Sequence, residues 1–199
     1  MNFAKVFKVF GKNYILVPLE IFGSDPYKTL VSTLLSARTK DEVTLEASKR
    51  LFKIAPNLEK LNHLEIKAIE RLIYPVGFYK TKAKHLKTLA RTVLTNYGRK
   101  VPKTQKELTT LPGVGIKTAN LVLNRAFEIP AIAVDTHVHR ISNLLGWVHT
   151  KTPEQTEKEL IKILPKKYWP NMNRLFVSIG RQFTSKKRLE EFLRKERLI

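Results

Sequence analysis

Thr104-Gln-Lys-Glu-Leu-Thr-Thr-Leu-Pro-Gly-Val-Gly-Ile-Lys-Thr-Ala-Asn-Leu-Val-Leu123 is the stretch whose reading decides the fold. Residues 104–110 predict a short helix, with good helix formers at Gln105, Lys106 and Glu107 and with Leu108 and Leu111 facing inward. Pro112-Gly113-Val114-Gly115 breaks it, and a new apolar period opens with Ala119, Val122, Leu123 and Ala126. The pattern is helix, tight glycine turn, helix. Two glycines one residue apart let backbone N–H groups converge, because no Cβ intrudes. The next helix adds its own free N–H groups and the positive end of its dipole. Gly113, Val114, Gly115 and Thr118 therefore predict a phosphate-binding turn, with a plain interhelical turn as the alternative.

Working outward, the same helical period recurs along the chain. Ser24-Asp25-Pro26 marks a helix start before Leu30, Leu34 and Leu35. Val43, Ala47, Leu51 and Ile54 share one face, and residues 80–97 repeat the pattern up to a stop at Gly98. Further helices are predicted near 57–63, 65–73, 116–128, 136–145, 153–164, 168–180 and 186–197. Strand-like alternation is scarce. The fold class is all-α, with no fixed-period repeat and no low-complexity linker.

Composition narrows the function. Thirty-seven Lys and Arg against 17 Asp and Glu leave a net charge of +20 across 199 residues. Such a surface attracts polyanions, nucleic acid first and an anionic membrane face second. From Arg71 to Lys106 there are ten basic residues and no acidic one. Lys80, Lys82, Lys84 and Lys87 recur along one helix there; they read as contacts to a phosphate backbone or as a solvated face. The chain has no cysteine, which excludes disulfides, thiolate-held clusters, zinc fingers and a cysteine nucleophile. No run approaches the ~18 apolar residues of a membrane span, and the first residues do not read as a signal peptide, so an intracellular, soluble protein is expected. High Lys and Arg without Cys also suits a thermophilic source.

Asp135 is one of three aspartates and precedes the helical stretch 136–145. By itself it reads as an N-cap. His137 and His139, two apart, point different ways on a helix and make a poor chelate, so no metal is expected.

These residues carry a resemblance. Leu111-Pro-Gly-Val-Gly-Ile-Lys-Thr-Ala-Asn120 followed by Ile132-Ala-Val-Asp-Thr-His-Val-His-Arg140 resembles the helix-hairpin-helix motif of the endonuclease III family. Residues 24–37 and Pro75-Val-Gly-Phe-Tyr-Lys-Thr-Lys-Ala83 resemble two more of its segments, and the match spans roughly residues 20 to 185. That family comprises DNA glycosylases that remove oxidised pyrimidines and cleave the abasic site left behind. The resemblance implies a two-lobed all-α architecture. Residues 24–130 would form the lobe with the hairpin, and residues 1–23 with 131–199 the other, the active site lying in the cleft between. It implies Lys117 as the amine that forms a Schiff base at the sugar and Asp135 as the catalytic carboxylate. The amine must be neutral to attack. Phe78 takes the place of a wedging side chain, against the alternative of a core Phe, and Arg38 stands where relatives often have Gln. His137 and Arg140 join Lys80 and Lys82 as expected DNA contacts.

One departure is large. Many relatives end with four cysteines around an iron–sulfur cluster; here Ser185 takes the place of the first, and residues 186–199 form a basic amphipathic helix. Leu189, Phe192 and Leu193 face inward, while Lys186, Lys187, Arg188, Arg194 and Lys195 face outward. The expectation is therefore no cluster and no required cofactor, with room for a monovalent cation on hairpin carbonyls. The expected partner is double-stranded DNA with damaged bases or abasic sites, bound by a monomer in the cytoplasm at the nucleoid. A monofunctional mismatch glycosylase and a noncatalytic DNA-binding module are the rivals.

Overall fold

The computed structural model describes all 199 residues, Met1–Ile199. It contains helices and no strand: α1 Phe3–Lys12, α2 Pro26–Ser36, α3 Asp41–Ile54, α4 Leu58–His63, α5 Ile66–Ile73, α6 Tyr79–Asn96, α7 Gln105–Leu108, α8 Ile116–Phe127, α9 Thr136–Leu144, α10 Pro153–Ile163, α11 Trp169–Gln182 and α12 Lys186–Lys195. Short 3-10 turns cover Pro18–Phe22 and Lys166–Tyr168. The chain divides into two compact units, Pro18–Ile129 and Met1–Val17 with Pro130–Ile199.

In the continuous unit, α2 is buried nearly all round, from Tyr27 to Leu35, as a central helix must be. Asp25 caps it by accepting the Lys28 N–H at 3.0 Å, and Pro26 occupies the first turn, where its missing N–H costs nothing. It packs on α3, α6 and α8. α6 is 18 residues, about 27 Å long, and buries Ala83, Leu86, Leu89, Ala90 and Val93. It ends before Gly98, whose φ of +56° no β-carbon favours. α7 is shorter than the spacing predicts. Thr104 caps it through the Glu107 N–H at 3.2 Å, and it ends at Leu108 as the chain turns into the hairpin.

The 3-10 turn Pro18–Phe22 belongs to this unit, which corrects a boundary expected at residue 24. Leu19 is buried, Phe22 meets Phe52 edge-on at 5.1 Å, and Thr29 Oγ1 donates to Phe22 O at 2.8 Å. Those contacts bind the segment to α2 and α3.

The other unit is made from both ends of the chain. Its core joins Phe7 and Phe10 of α1 to Ile141, Leu160, Phe176 and Phe192. Phe10 meets Phe176 edge-on at 5.0 Å. α12 takes Ser185 as its N-cap, with the Arg188 N–H at 3.2 Å, and buries Leu189, Phe192 and Leu193. Phe192 stacks on Phe183 at 4.4 Å. Each such side chain contributes on the order of 2 kcal/mol. The five basic residues expected to face outward on this helix are exposed. No helix is long and apolar enough to cross a membrane.

Candidate nucleic-acid interface

The hairpin is fixed from below. Leu108 and Leu111 are fully buried, and the Val114 N–H returns to Leu111 O at 3.1 Å. Gly113 has φ +79°, and a Cβ there would sit 2.7 Å from His85 Nδ1 and 3.3 Å from Leu34 Cδ1. Backbone conformation and packing each demand glycine at this point. Gly115 is different. It is the N-cap of α8 in extended conformation, exposed, and a Cβ there would meet nothing within 4 Å. No side chain caps α8, so the N–H groups of Ile116, Lys117 and Thr118 have no partner inside the helix and point outward from its positive end. Lys117 is exposed in that first turn and Thr118 is half-buried. Val114, expected at the interface, turns its side chain into the core at 6% exposure and can offer a ligand only backbone.

Asp135 is the N-cap of α9, its Oδ1 accepting the Val138 N–H at 2.8 Å. The carboxylate is half-buried, and the cap engages one of its oxygens.

Arg38 and Phe78 meet although 40 residues apart in sequence. The Arg38 guanidinium lies 5.6 Å from the Phe78 ring centroid. Phe78 is 62% exposed, which excludes the core alternative. Both residues have left-handed backbones, φ +54° and +57°.

The lysine run on α6 is corrected. Lys80 and Lys84 are exposed, but Lys82 is 7% exposed and donates to Leu35 O at 2.8 Å and Ala37 O at 2.6 Å. Burial pulls its pKa down to about 8. Lys82 is therefore not a phosphate contact. Two residues along a helix is about 200° of rotation, so Lys82 faces away from Lys80 and Lys84. Lys87 turns back as well, donating to Leu64 O at 2.9 Å and to Asn62 O.

Arg140 is the second correction. Its Nη2 donates to Gly180 O at 3.1 Å and Phe183 O at 2.9 Å, and its Nη1 to Thr184 O. The guanidinium holds the end of α11 rather than a DNA backbone. His137 packs on Gly180, where a Cβ would lie 2.6 Å from the imidazole Cγ. No group of three His, Cys, Asp or Glu is placed to hold a metal ion. The C-terminal segment does not fit an iron–sulfur cluster either: it offers no thiolate, Ser185 is engaged as a cap, and the inner face of α12 is packed with hydrocarbon.

The sequence reasoning missed the hydrogen bond from Gln105 Nε2 to Asn120 Oδ1, 2.7 Å, which ties α7 to α8 across the hairpin. It also missed Thr39, whose Oγ1 accepts the Gly77 N–H at 3.1 Å. A hydroxyl in the loop between α2 and α3 carried no signal of its own.

Comparison with known proteins now decides the family. A model of the HhH-GPD superfamily of base excision DNA repair proteins matches residues 31–166, a span containing the hairpin, Lys117 and Asp135. The chain belongs to this superfamily. Within the HhH-GPD proteins it is 47% identical to endonuclease III of Thermotoga maritima over 159 residues, covering 80% of this chain and 75% of that protein. It is 36% identical to endonuclease III of Rickettsia felis over 177 residues, covering 89% and 83% of the two chains. The fold matches that of a trapped endonuclease III–DNA covalent intermediate with an estranged adenine at TM-score 0.82 and 32% identity, over 92% of this chain and 85% of that one. The chain is thus a member of the endonuclease III family.

Proposed function

We propose that this protein is a bifunctional DNA glycosylase and abasic-site lyase that removes damaged bases, oxidised pyrimidines foremost, from duplex DNA. The observation that carries the proposal is the exposed amine of Lys117 in the uncapped first turn of α8, directly after the glycine turn. A likeness to a protein trapped covalently on DNA supports it.

In this reading the free N–H groups at the start of α8 take a backbone phosphate. The target nucleotide leaves the stack, which costs a few kcal/mol. Lys117 Nζ attacks the sugar C1′, and the C1′–N bond to the base breaks, its electron pair leaving with the base, which is then protonated. Loss of a proton from nitrogen and ring opening give the Schiff base. Removal of a C2′ proton then expels the 3′ phosphate, and water releases the lysine. Asp135 stabilises positive charge developing on the sugar and assists the proton transfers. Arg38 and Phe78 fill the space the nucleotide leaves. A monovalent cation on carbonyls of the 111–114 turn belongs to the same reading; Leu111 O, which takes the Val114 N–H, retains a second lone pair for it. A monomer suffices for all of this, and the substrate places the protein with the cell's DNA.

Borohydride trapping tests it. The wild type should form a covalent adduct with a duplex carrying an abasic site, and Lys117→Gln should bind that duplex but give neither adduct nor nicking. Excision without an adduct would instead make the protein a monofunctional glycosylase. Binding alone would make it a noncatalytic module.

A further inference from the structure

Lys82 is a buried ammonium on a helix whose neighbouring inward positions are Ala83 and Leu86. An apolar residue would avoid the desolvation that a charge suffers there. Part of the reason for a lysine is local. α2 ends at Ser36, leaving carbonyls without partners at the negative end of the helix, and Lys82 takes those of Leu35 and Ala37. The third direction of its ammonium is not explained that way. Nζ also lies 3.4 Å from Thr39 Oγ1, and the same oxygen accepts the Gly77 N–H at 3.1 Å. The junction closes tightly: a Cβ on Gly77 would fall 2.6 Å from Arg38 O. One ammonium and one hydroxyl thus join the loop after α2 to the loop before α6.

On each loop the residue next to that junction is strained and exposed. Arg38 and Phe78 both hold positive φ without being glycine, and they touch each other. Left-handed backbone at a bulky residue persists only where the surroundings over-determine it.

We propose that Lys82 and Thr39 form a clip that holds Arg38 and Phe78 together as one preformed wedge, which makes both of them positioning residues for extrusion of the target nucleotide. The inference rests on the repair function proposed above. Its chemistry is preorganisation: a wedge already assembled enters the duplex without first ordering two loops.

Thr39→Val keeps shape and removes the hydroxyl; Lys82→Met removes the charge and keeps the apolar stem. Two measurements apply to each variant. In the free protein, amide hydrogen exchange in segments 37–40 and 75–79 reads the clip itself. With a duplex carrying a tetrahydrofuran abasic analogue beside 2-aminopurine, the fluorescence rise in stopped flow reads extrusion. Thr39→Val should speed exchange in both segments and slow extrusion by about tenfold, a coupling typical of groups that touch. Affinity for undamaged duplex should stay at the wild-type value. In an Arg38→Ala/Phe78→Ala background the same Thr39→Val change should slow extrusion by less than about twofold, because the clip then has nothing to position. Unchanged exchange, or an equal slowing in both backgrounds, overturns the proposal. Should Lys82→Met fail to fold, the Thr39→Val pair decides alone. Wild-type protein giving no fluorescence change would defeat the repair function and the wedge with it, whereas a normal wild-type signal with a silent Thr39→Val would defeat the clip only.

Discussion

Asp135→Asn separates the cap that Asp135 forms from the catalytic role proposed for it. The carboxylate caps α9 through the Val138 N–H at 2.8 Å. An aspartate cap contributes about 1 kcal/mol over alanine, and asparagine caps about as well. The change to Asn therefore loses only the favourable charge at the helix N-terminus, about 0.3–1 kcal/mol. For a chain of this size 1 kcal/mol moves Tm by about 2–4 °C. Asn should shift Tm by at most about 4 °C, and Asp135→Ala, which loses cap and charge, by up to roughly twice that. Catalysis should order the variants differently. A carboxylate that stabilises charge on the sugar is absent from both, so both should slow base excision by at least ~100-fold. Single-turnover excision on a duplex with one oxidised pyrimidine, read beside a thermal melt, gives the two scales. Should Asp135→Asn excise at the wild-type rate, Asp135 is a cap and the mechanism loses its carboxylate.

Two further predictions concern the interface. Replacing Lys80 and Lys84 by Ala should make the slope of log affinity against log salt shallower by roughly 0.9 for each phosphate that those lysines neutralise, whereas Lys82→Met should leave the slope unchanged; fluorescence anisotropy across a salt series measures both. Gly113→Ala must hold a positive φ and push on the His85 ring, so it should destabilise by about 2–4 kcal/mol in a denaturant titration, while Gly115→Ala should melt within about 2 °C of wild type and weaken duplex binding by crowding the phosphate.

The helices were legible because each has its own period and punctuation. The lysine-rich helix expected at 80–97 is Tyr79–Asn96, and those expected at 57–63 and 65–73 are Leu58–His63 and Ile66–Ile73. The hairpin was legible for a similar reason, since Pro-Gly-Val-Gly leaves the backbone few alternatives. The destination of long cationic side chains was not. Lys82, Lys87 and Arg140 look like surface charge in a +20 chain, yet each reaches carbonyls at the end of a helix or in a loop. Those acceptors lie up to 47 residues away in sequence. Pattern along a helix assigns a face, and only the tertiary arrangement decides which cation bends inward to a helix end. The spacing of Lys82 from Lys80 held a readable hint, because two positions put it on the opposite side.

The way one unit draws on both ends of the chain has a consequence for synthesis. Pro18–Ile129 is continuous and can close as soon as it leaves the ribosome. α1 is made earlier still, yet Phe10 must wait for its aromatic partners Phe176 and Phe192. At typical elongation rates that wait is about 10 to 30 s. α1 is thus made well before the helices that bury it, and for that interval its apolar face needs protection.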